Sequence, residues 1–340
     1  MIVPRLEQFR GCLVGQCLGD AVGCRVEGYP PEVCQNFVTY EVRLKKIKDR
    51  DRFGFPFGQY TDDSQLAREL LQSYLSCGQF DPSDYATRIA DIFAQERIVG
   101  RGRSTEEAAN RLIRGVAWQE AGTPAPSAGN GSAMRAGPIG LIFYDRPSQL
   151  IQAACDQGRI THQDSRCSAG AVAIAGAVAI ALQSATIEAE PFLSQLSEWV
   201  AFVDSSFAAL LKDLIEWVKL PPESAVELIS KAGLPLNYQH SWQGISPFVV
   251  GSVLWSLYAF LRSPQDYWET LCTSIAVGGD VDTTAAMACA ISGAFLGLEA
   301  IPKQLTEFLN DRETWGLDEL IQLADSCYKK TNGKRKAQRL

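Results

Sequence analysis

Apolar residues recur three and four positions apart along almost the whole chain, the spacing of helices that bury one face. Within residues 65–77 the stripe is Leu66, Leu70, Leu71 and Tyr74, and within 84–96 it is Tyr85, Ile89, Ile92 and Phe93. Residues 105–118 repeat it with Ala108, Leu112, Ile113 and Val116. Residues 197–220 read as one long amphipathic helix through Trp199, Val200, Val203, Phe207, Leu210, Leu211, Leu214 and Val218. Residues 249–261 and 284–298 are apolar all round, which predicts buried helices. Only residues 38–47 suggest a strand, short and isolated. The pattern predicts an all-α fold.

Two of the helices are rich in small residues: Ser168-Ala-Gly-Ala-Val-Ala-Ile-Ala-Gly-Ala-Val-Ala-Ile-Ala and Ala285-Ala-Met-Ala-Cys-Ala-Ile-Ser-Gly-Ala. Small side chains let helix axes approach closely, so these two are candidates for a central pair, against the plainer reading of two ordinary buried helices. Glycine, proline and serine cluster at 54–59, 122–140 and 237–247. No low-complexity linker and no fixed-period repeat divides the chain. Residues 1–328 are therefore expected to form a single compact domain. Residues 329–340 hold six basic residues and no acidic one and are expected to be a solvated, frayed tail.

Composition adds limits rather than an identity. The 340 residues are 46% hydrophobic and 21% charged, a globular balance that excludes general disorder. The net charge is −7, and the chain before residue 329 carries 26 basic and 39 acidic residues. That acidity argues against a nucleic-acid-binding surface. Ten cysteines are scattered with no C-x-x-C pair, mostly among apolar neighbours, as free buried thiols are. The first residues lack a charged segment followed by an apolar one, so no signal peptide is expected. The longest apolar run, 169–182, is 14 residues, short of the ~18–20 that span a bilayer. A cytoplasmic protein with no membrane segment is expected.

The candidate chemistry is acidic. Tyr60-Thr61-Asp62-Asp63-Ser64-Gln65 stands just before an amphipathic helix. Thr61 or Asp62 can cap that helix, and carboxylates suit its positive end. The same residues can instead aim hard oxygen ligands at one Mg²⁺ or Mn²⁺. A second constellation, Gly278-Gly279-Asp280-Val281-Asp282-Thr283-Thr284, repeats this before a buried helix, and its glycines allow a tight turn. Carboxylates beside an apolar helix are costly to bury unless paired or metal-bound. Two acidic helix starts facing one another can hold two metals and activate a water. Asp280-Val-Asp282-Thr-Thr284 also fits the D-x-D-x-T pattern of haloacid-dehalogenase-type phosphatases, a reading that needs a buried strand before it and a doubly wound sheet after it.

Gly129-Asn130-Gly131-Ser132-Ala133-Met134-Arg135-Ala136-Gly137-Pro138 can present backbone N–H groups to phosphate oxygens, or be an ordinary inter-helix turn. It lacks the lysine of a nucleotide-triphosphate P-loop. His162, in the polar turn Ile160-Thr-His-Gln-Asp164, is one of only two histidines and can face a pocket or simply pack. The other, His240, lies between Gln239 and Ser241 with less to recommend it.

Taken in order, these motifs resemble the ADP-ribosylglycohydrolase family, which includes dinitrogenase-reductase-activating glycohydrolase and the ADP-ribosyl-acceptor hydrolases. Gly11-Cys-Leu-Val-Gly15 with Gly19-Asp20-Ala21-Val22-Gly23 is similar to the family's opening helix, and Glu27 to its following acidic residue. Thr61-Asp62-Asp63, Gly129 to Arg135, Thr161-His162 and Gly278 to Thr283 are similar to its metal, substrate, T-H and G-G-D-x-D-T motifs. The resemblance runs from about Arg10 to Gly297. It implies a compact all-α fold with two Mg²⁺ or Mn²⁺ ions in a cleft. It implies Thr61, Asp62, Asp63, Asp280, Asp282 and Thr283 as metal ligands. Glu27, Asp62 and Asp282 are implied at the reacting centre, and Asn130, Gly131, Ser132, Met134, Arg135 and His162 against the substrate. The implied reaction hydrolyses the bond at the anomeric carbon of the distal ribose in an ADP-ribosylated protein or other ADP-ribose conjugate. Val281, Cys289 and Ala136-Gly137 depart from the family pattern without removing an expected ligand. A monomer is expected. A silent ADP-ribose-binding relative and a metal phosphatase of another fold are the alternatives.

Overall fold

A computed structural model describes residues 2–48, 54–235 and 241–338, with side chains of the last helix described through residue 333. Its helices run in chain order: α1 Leu6–Gly23, α2 Pro31–Phe37, α3 Asp62–Cys77, α4 Pro82–Ala94, α5 Arg103–Ile113, α6 Trp118–Ala121, α7 Gly137–Phe143, α8 Pro147–Arg159 and α9 Ser165–Gln183. They continue with α10 Ala189–Ala201, α11 Ser205–Trp217, α12 Pro222–Ile229, α13 Val249–Arg262, α14 Tyr267–Ala276, α15 Val281–Leu296, α16 Lys303–Thr306 and α17 Leu317–Gln338. Among the described residues there is no β-strand, only isolated bridges. The fold is that of an all-α protein.

The tightest helix pair is α1 with α15, not the two alanine-rich helices against one another. Glycines 11, 15, 19 and 23 form a stripe every fourth residue on α1. A Cβ added at each would lie 2.4, 2.7, 2.5 and 2.5 Å from backbone atoms at Gly293, Cys289, Ala285 and Asp282. The partners descend in number as the glycines ascend, so the helices are antiparallel. Only hydrogen at these positions lets the two backbones touch. The contact brings the end of α1, with Asp20, against the start of α15, with Asp282.

The other alanine-rich helix, α9, lies at the centre of a second set of contacts. Gly140 of α7 packs on Ala175, Gly170 on Val249 and Val253 of α13, and Gly176 on Leu196 and Trp199 of α10. Its 19 residues are long and apolar enough to cross a membrane, longer than the 14-residue run suggested, yet 89% of its most apolar window is buried inside the protein. Small residues therefore serve two close packings, and α9 also touches α15, though less closely than α1 does.

Four further expectations are corrected. Residues 38–47 are not a strand, because α2 continues into a π-turn at Val38–Val42. Residues 197–220 are two helices broken at Phe202–Asp204, where the Asp204 side chain accepts from Phe207 N and caps α11. Residues 105–118 split after Ile113, which is exposed, and the chain turns through Gly115 at φ +84°. The break expected at residue 329 falls inside α17. There Lys330 Nζ donates to Leu75 O at 2.6 Å, Thr331 is buried, and Asn332 accepts from Tyr144. All ten cysteines are free and only Cys77 is exposed.

Candidate active site

A cleft of about 560 Å³ opens where the starts of α3 and α15 face each other. Its lining includes Glu27, Asp62, Asp63, Asp280, Asp282 and Thr283 from the acidic motifs, Asn130, Gly131 and Met134 from the glycine loop, and His162.

The start of α3 is capped from another helix. Thr61 makes no capping bond with its own side chain. Instead the Asp20 carboxylate of α1 accepts from Thr61 N at 3.0 Å, Ser64 N at 3.1 Å and the Thr61 hydroxyl at 2.8 Å. This corrects the expectation that Thr61 or Asp62 caps the helix, and it frees the carboxylates of Asp62 and Asp63 for the cleft. Asp20 belongs to the Gly19-Asp20-Ala21-Val22-Gly23 motif at the end of α1, and capping α3 is its role. Burial pushes its carboxyl up to about 6, against the pull of its hydrogen bonds.

The start of α15 is set by Gly278 and Gly279, at φ +76° and +89°. A Cβ on the first would meet Pro31 N at 2.6 Å and on the second Ile245 O at 2.1 Å. Gly28 N donates to Gly279 O, and Asp280 N donates to Ile245 O, both at 2.8 Å. The turn is thus clasped between two segments, one of which carries Glu27. Oxygens of Glu27, Asp280 and Asp282 come within 4.8 Å of one another. Asp280 accepts from Asn130 Nδ2, which ties the glycine loop to this turn.

The electrostatics of the floor ask for a cation. Asp62, Asp63 and Asp282 are all held well above the usual carboxylate range, first by burial and then by the repulsion of their acidic neighbours. Asp280 is also raised by burial, less so because Asn130 and Thr283 bond to it. Asp63 Oδ1 is buried without a hydrogen-bond partner. Thr61 Oγ1 lies 3.3 Å from Asp63 Oδ2, one layer behind the lining. A set of carboxylate and hydroxyl oxygens with an unmet buried oxygen fits a hard divalent cation.

Two expected substrate contacts are not at the surface of the cleft. Ser132 is buried and its hydroxyl donates to Cys167 O at 2.8 Å. Arg135 is buried behind the loop, where it bonds Gln157 and Thr161. Each side chain is held on the core side of the loop by these bonds, while Asn130, Gly131 and Met134 face the cleft. His240 lies outside the described residues.

The structure adds lining that the motifs missed: Gly100 to Thr105, with Arg101 and Arg103, and Trp242 and Pro247. The Gly100 to Thr105 segment is anchored through α3. Asp62 N donates to Val99 O at 2.7 Å, Gln65 accepts from Val99 N at 2.8 Å, and buried Arg68 and Gln65 both bond Asp311. The glycine pair in Gly100-Arg-Gly102 was the one available signal.

Comparison with known proteins points the same way. The family model described as ADP-ribosylglycohydrolase matches residues 1–337. An uncharacterized protein of Archaeoglobus fulgidus is 31% identical, covering 90% of this chain and 93% of its own. The ADP-ribosylhydrolase ARH3 of Xenopus tropicalis is 31% identical over 95% of this chain and 97% of its own, and that of Homo sapiens 29% over 88% of each. A solved structure titled ADP-ribosylglycohydrolase-related protein complex superposes with a TM-score of 0.73 at 26% identity, over 96% of this chain and 99% of that one. The matched span holds both acidic helix starts, the glycine loop and the clasped turn, and the chain belongs to the ADP-ribosylglycohydrolase family.

Proposed function

We propose that this chain is a metal-dependent hydrolase that releases ADP-ribose from an ADP-ribosylated protein or a smaller ADP-ribose conjugate. The observation that carries this reading is the convergence of four buried carboxylates and Glu27 on one cleft, beside a loop rich in backbone donors. Thr61, Asp62, Asp63, Asp280, Asp282 and Thr283 would hold two Mg²⁺ or Mn²⁺ ions, which supply an acidified water and a grip on ribose hydroxyls.

The chain's own groups do the rest. Glu27 is only half-buried and stands at the mouth beside Asp280 and Asp282, where it can move a proton to or from the departing acceptor or the attacking water. The carboxylates of Asp62 and Asp282 favour positive charge on the anomeric carbon and its ring oxygen as the bond breaks. Asn130, Gly131, Met134 and His162 offer one wall to the diphosphate and distal ribose. Ser132 and Arg135 support that wall from behind.

Incubation with arginine-, serine-, acetyl-ester- and polymer-linked ADP-ribose, with Mg²⁺ or Mn²⁺ and then with chelator, tests the reading. Free ADP-ribose that disappears with chelator and with Asp282→Asn supports it. Metal-dependent ADP-ribose binding with no turnover on any linkage would point to a silent relative, and release of inorganic phosphate to a phosphatase.

A further inference from the structure

Arg135, Thr161 and Gln157 lie outside the cleft, yet they form one buried chain that ends on a ring inside it. Arg135 Nη2 donates to Thr161 Oγ1 at 2.7 Å, and Thr161 Oγ1 lies 2.8 Å from His162 Nδ1. A guanidinium can only donate, so the threonine oxygen must accept from it. The threonine hydroxyl has one proton, and His162 Nδ1 is the acceptor within its reach. If Nδ1 carried the ring proton instead, the buried hydroxyl proton of Thr161 would have nowhere to go. The ring proton is therefore on Nε2.

The Nε2 edge faces the glycine loop. A Cβ on Gly129 would lie 3.2 Å from Nε2 and one on Gly131 2.8 Å from Cε1, and His162, Gly129 and Gly131 all line the cleft. Gln157 fixes the distance between ring and loop. Its Oε1 accepts from Arg135 Nε at 2.9 Å while its Nε2 donates to Ser132 O at 2.8 Å.

We propose that Arg135, Thr161 and Gln157 are positioning residues that lock His162 as a neutral Nε2–H donor, aimed at an oxygen acceptor of the ligand beside the glycine loop. Burial, and secondarily the charge of Arg135, also holds the imidazole down to about 3, so the ring is neutral at working pH. The same guanidinium thus sets the tautomer through Thr161 and the charge through space.

Protein labelled with ¹⁵N histidine, whose two histidines are told apart with His240→Gln, reports the ring directly. The His162 nitrogens are expected to read as a neutral Nε2–H tautomer at pH 7. Thr161→Val is expected to lose that signature and to weaken ADP-ribose binding about tenfold, the worth of one well-made hydrogen bond. Thr161→Ser, which keeps the hydroxyl, is expected to restore both. A wild-type ring that is Nδ1–H or doubly protonated overturns the proposal, whether or not Thr161→Val folds. So does a folded Thr161→Val with unchanged spectrum and affinity. The affinity arm rests on the proposed function and the spectroscopic arm does not, so a protein that ignores ADP-ribose but shows the Nε2–H ring refutes the former alone.

Discussion

Gly19→Ala places a methyl group where α1 meets α15. The added Cβ would lie 2.5 Å from Ala285 O, 2.8 Å from Ala285 C and 2.9 Å from Cys289 Cβ. Two of these neighbours are backbone, so no rotamer change relieves them. Restoring ordinary contact needs the helices to part by about 1 Å, in an interior packed like a crystal. Overpacking of this kind costs about 1–3 kcal/mol. Alanine's better helix propensity returns up to about 1 kcal/mol. The net expectation is a loss of about 1–2 kcal/mol.

Gly333→Ala is the matched control. Gly333 is in α17, exposed, with nothing within 4 Å of an added Cβ, so the propensity gain stands alone. Guanidinium unfolding should therefore move the two midpoints in opposite directions at equal slope, with the variants about 2–3 kcal/mol apart. Ala285 lies three residues from Asp282 on α15, so a parted pair also shifts the carboxylate floor. Turnover of Gly19→Ala is expected to fall about 10–100-fold, as misplaced reacting groups do. A Gly19→Ala protein as stable as Gly333→Ala would refute the claim that backbone contact sets this spacing.

Asp282→Asn is expected to raise the unfolding midpoint of chelated protein, because it removes one of several buried, mutually repelling carboxylates, while turnover falls at least about 100-fold. Calorimetry and a rate assay on the same sample check both signs. Asp20→Ala strips Thr61 N, Ser64 N and the Thr61 hydroxyl of their acceptor and should cost about 2–4 kcal/mol by denaturant titration. His162 is held down to about 3, whereas the unfolded chain protonates near the ordinary value of 6.5. Its contribution to stability is therefore intact above pH 6.5, falls as the unfolded chain takes up the proton, and levels off below pH 3. Between pH 7.5 and 5 the wild type should lose about 2 kcal/mol more than His162→Gln. Equal pH slopes for the two proteins would remove that assignment.

Much of the site was legible because its chemistry is local. Asp62-Asp63 and Asp280-x-Asp282 each sit at the first turn of an apolar-striped helix, and a few adjacent residues suffice to announce such a start. Asn130, Gly131 and Met134 were legible for the same reason. The side chains of Arg135 and Ser132 face the core rather than the cleft, and which residues of a turn face out depends on what packs behind. Gln157 and Trp242 carry no motif of their own, and the capping role of Asp20 depends on Thr61 and Ser64, far from it in sequence. The helix breaks at Phe202–Asp204 and after Ile113 were missed because the apolar stripe continues through them, so periodicity alone cannot see the turn.

From residue order alone came the helical class, the acidic helix starts, the glycine loop and the family they resemble, since spacing and side-chain chemistry are properties of neighbours. The tertiary structure decided that α1 packs more closely on α15 than α9 does, because a glycine every fourth residue permits backbone contact only where a partner backbone is available. It also decided that an aspartate on one helix caps another, and that the Gly278-Gly279 turn is clasped so that Glu27 joins the carboxylates. Those choices depend on which distant surfaces can approach closely enough to exclude water, and only the assembled core sets that distance.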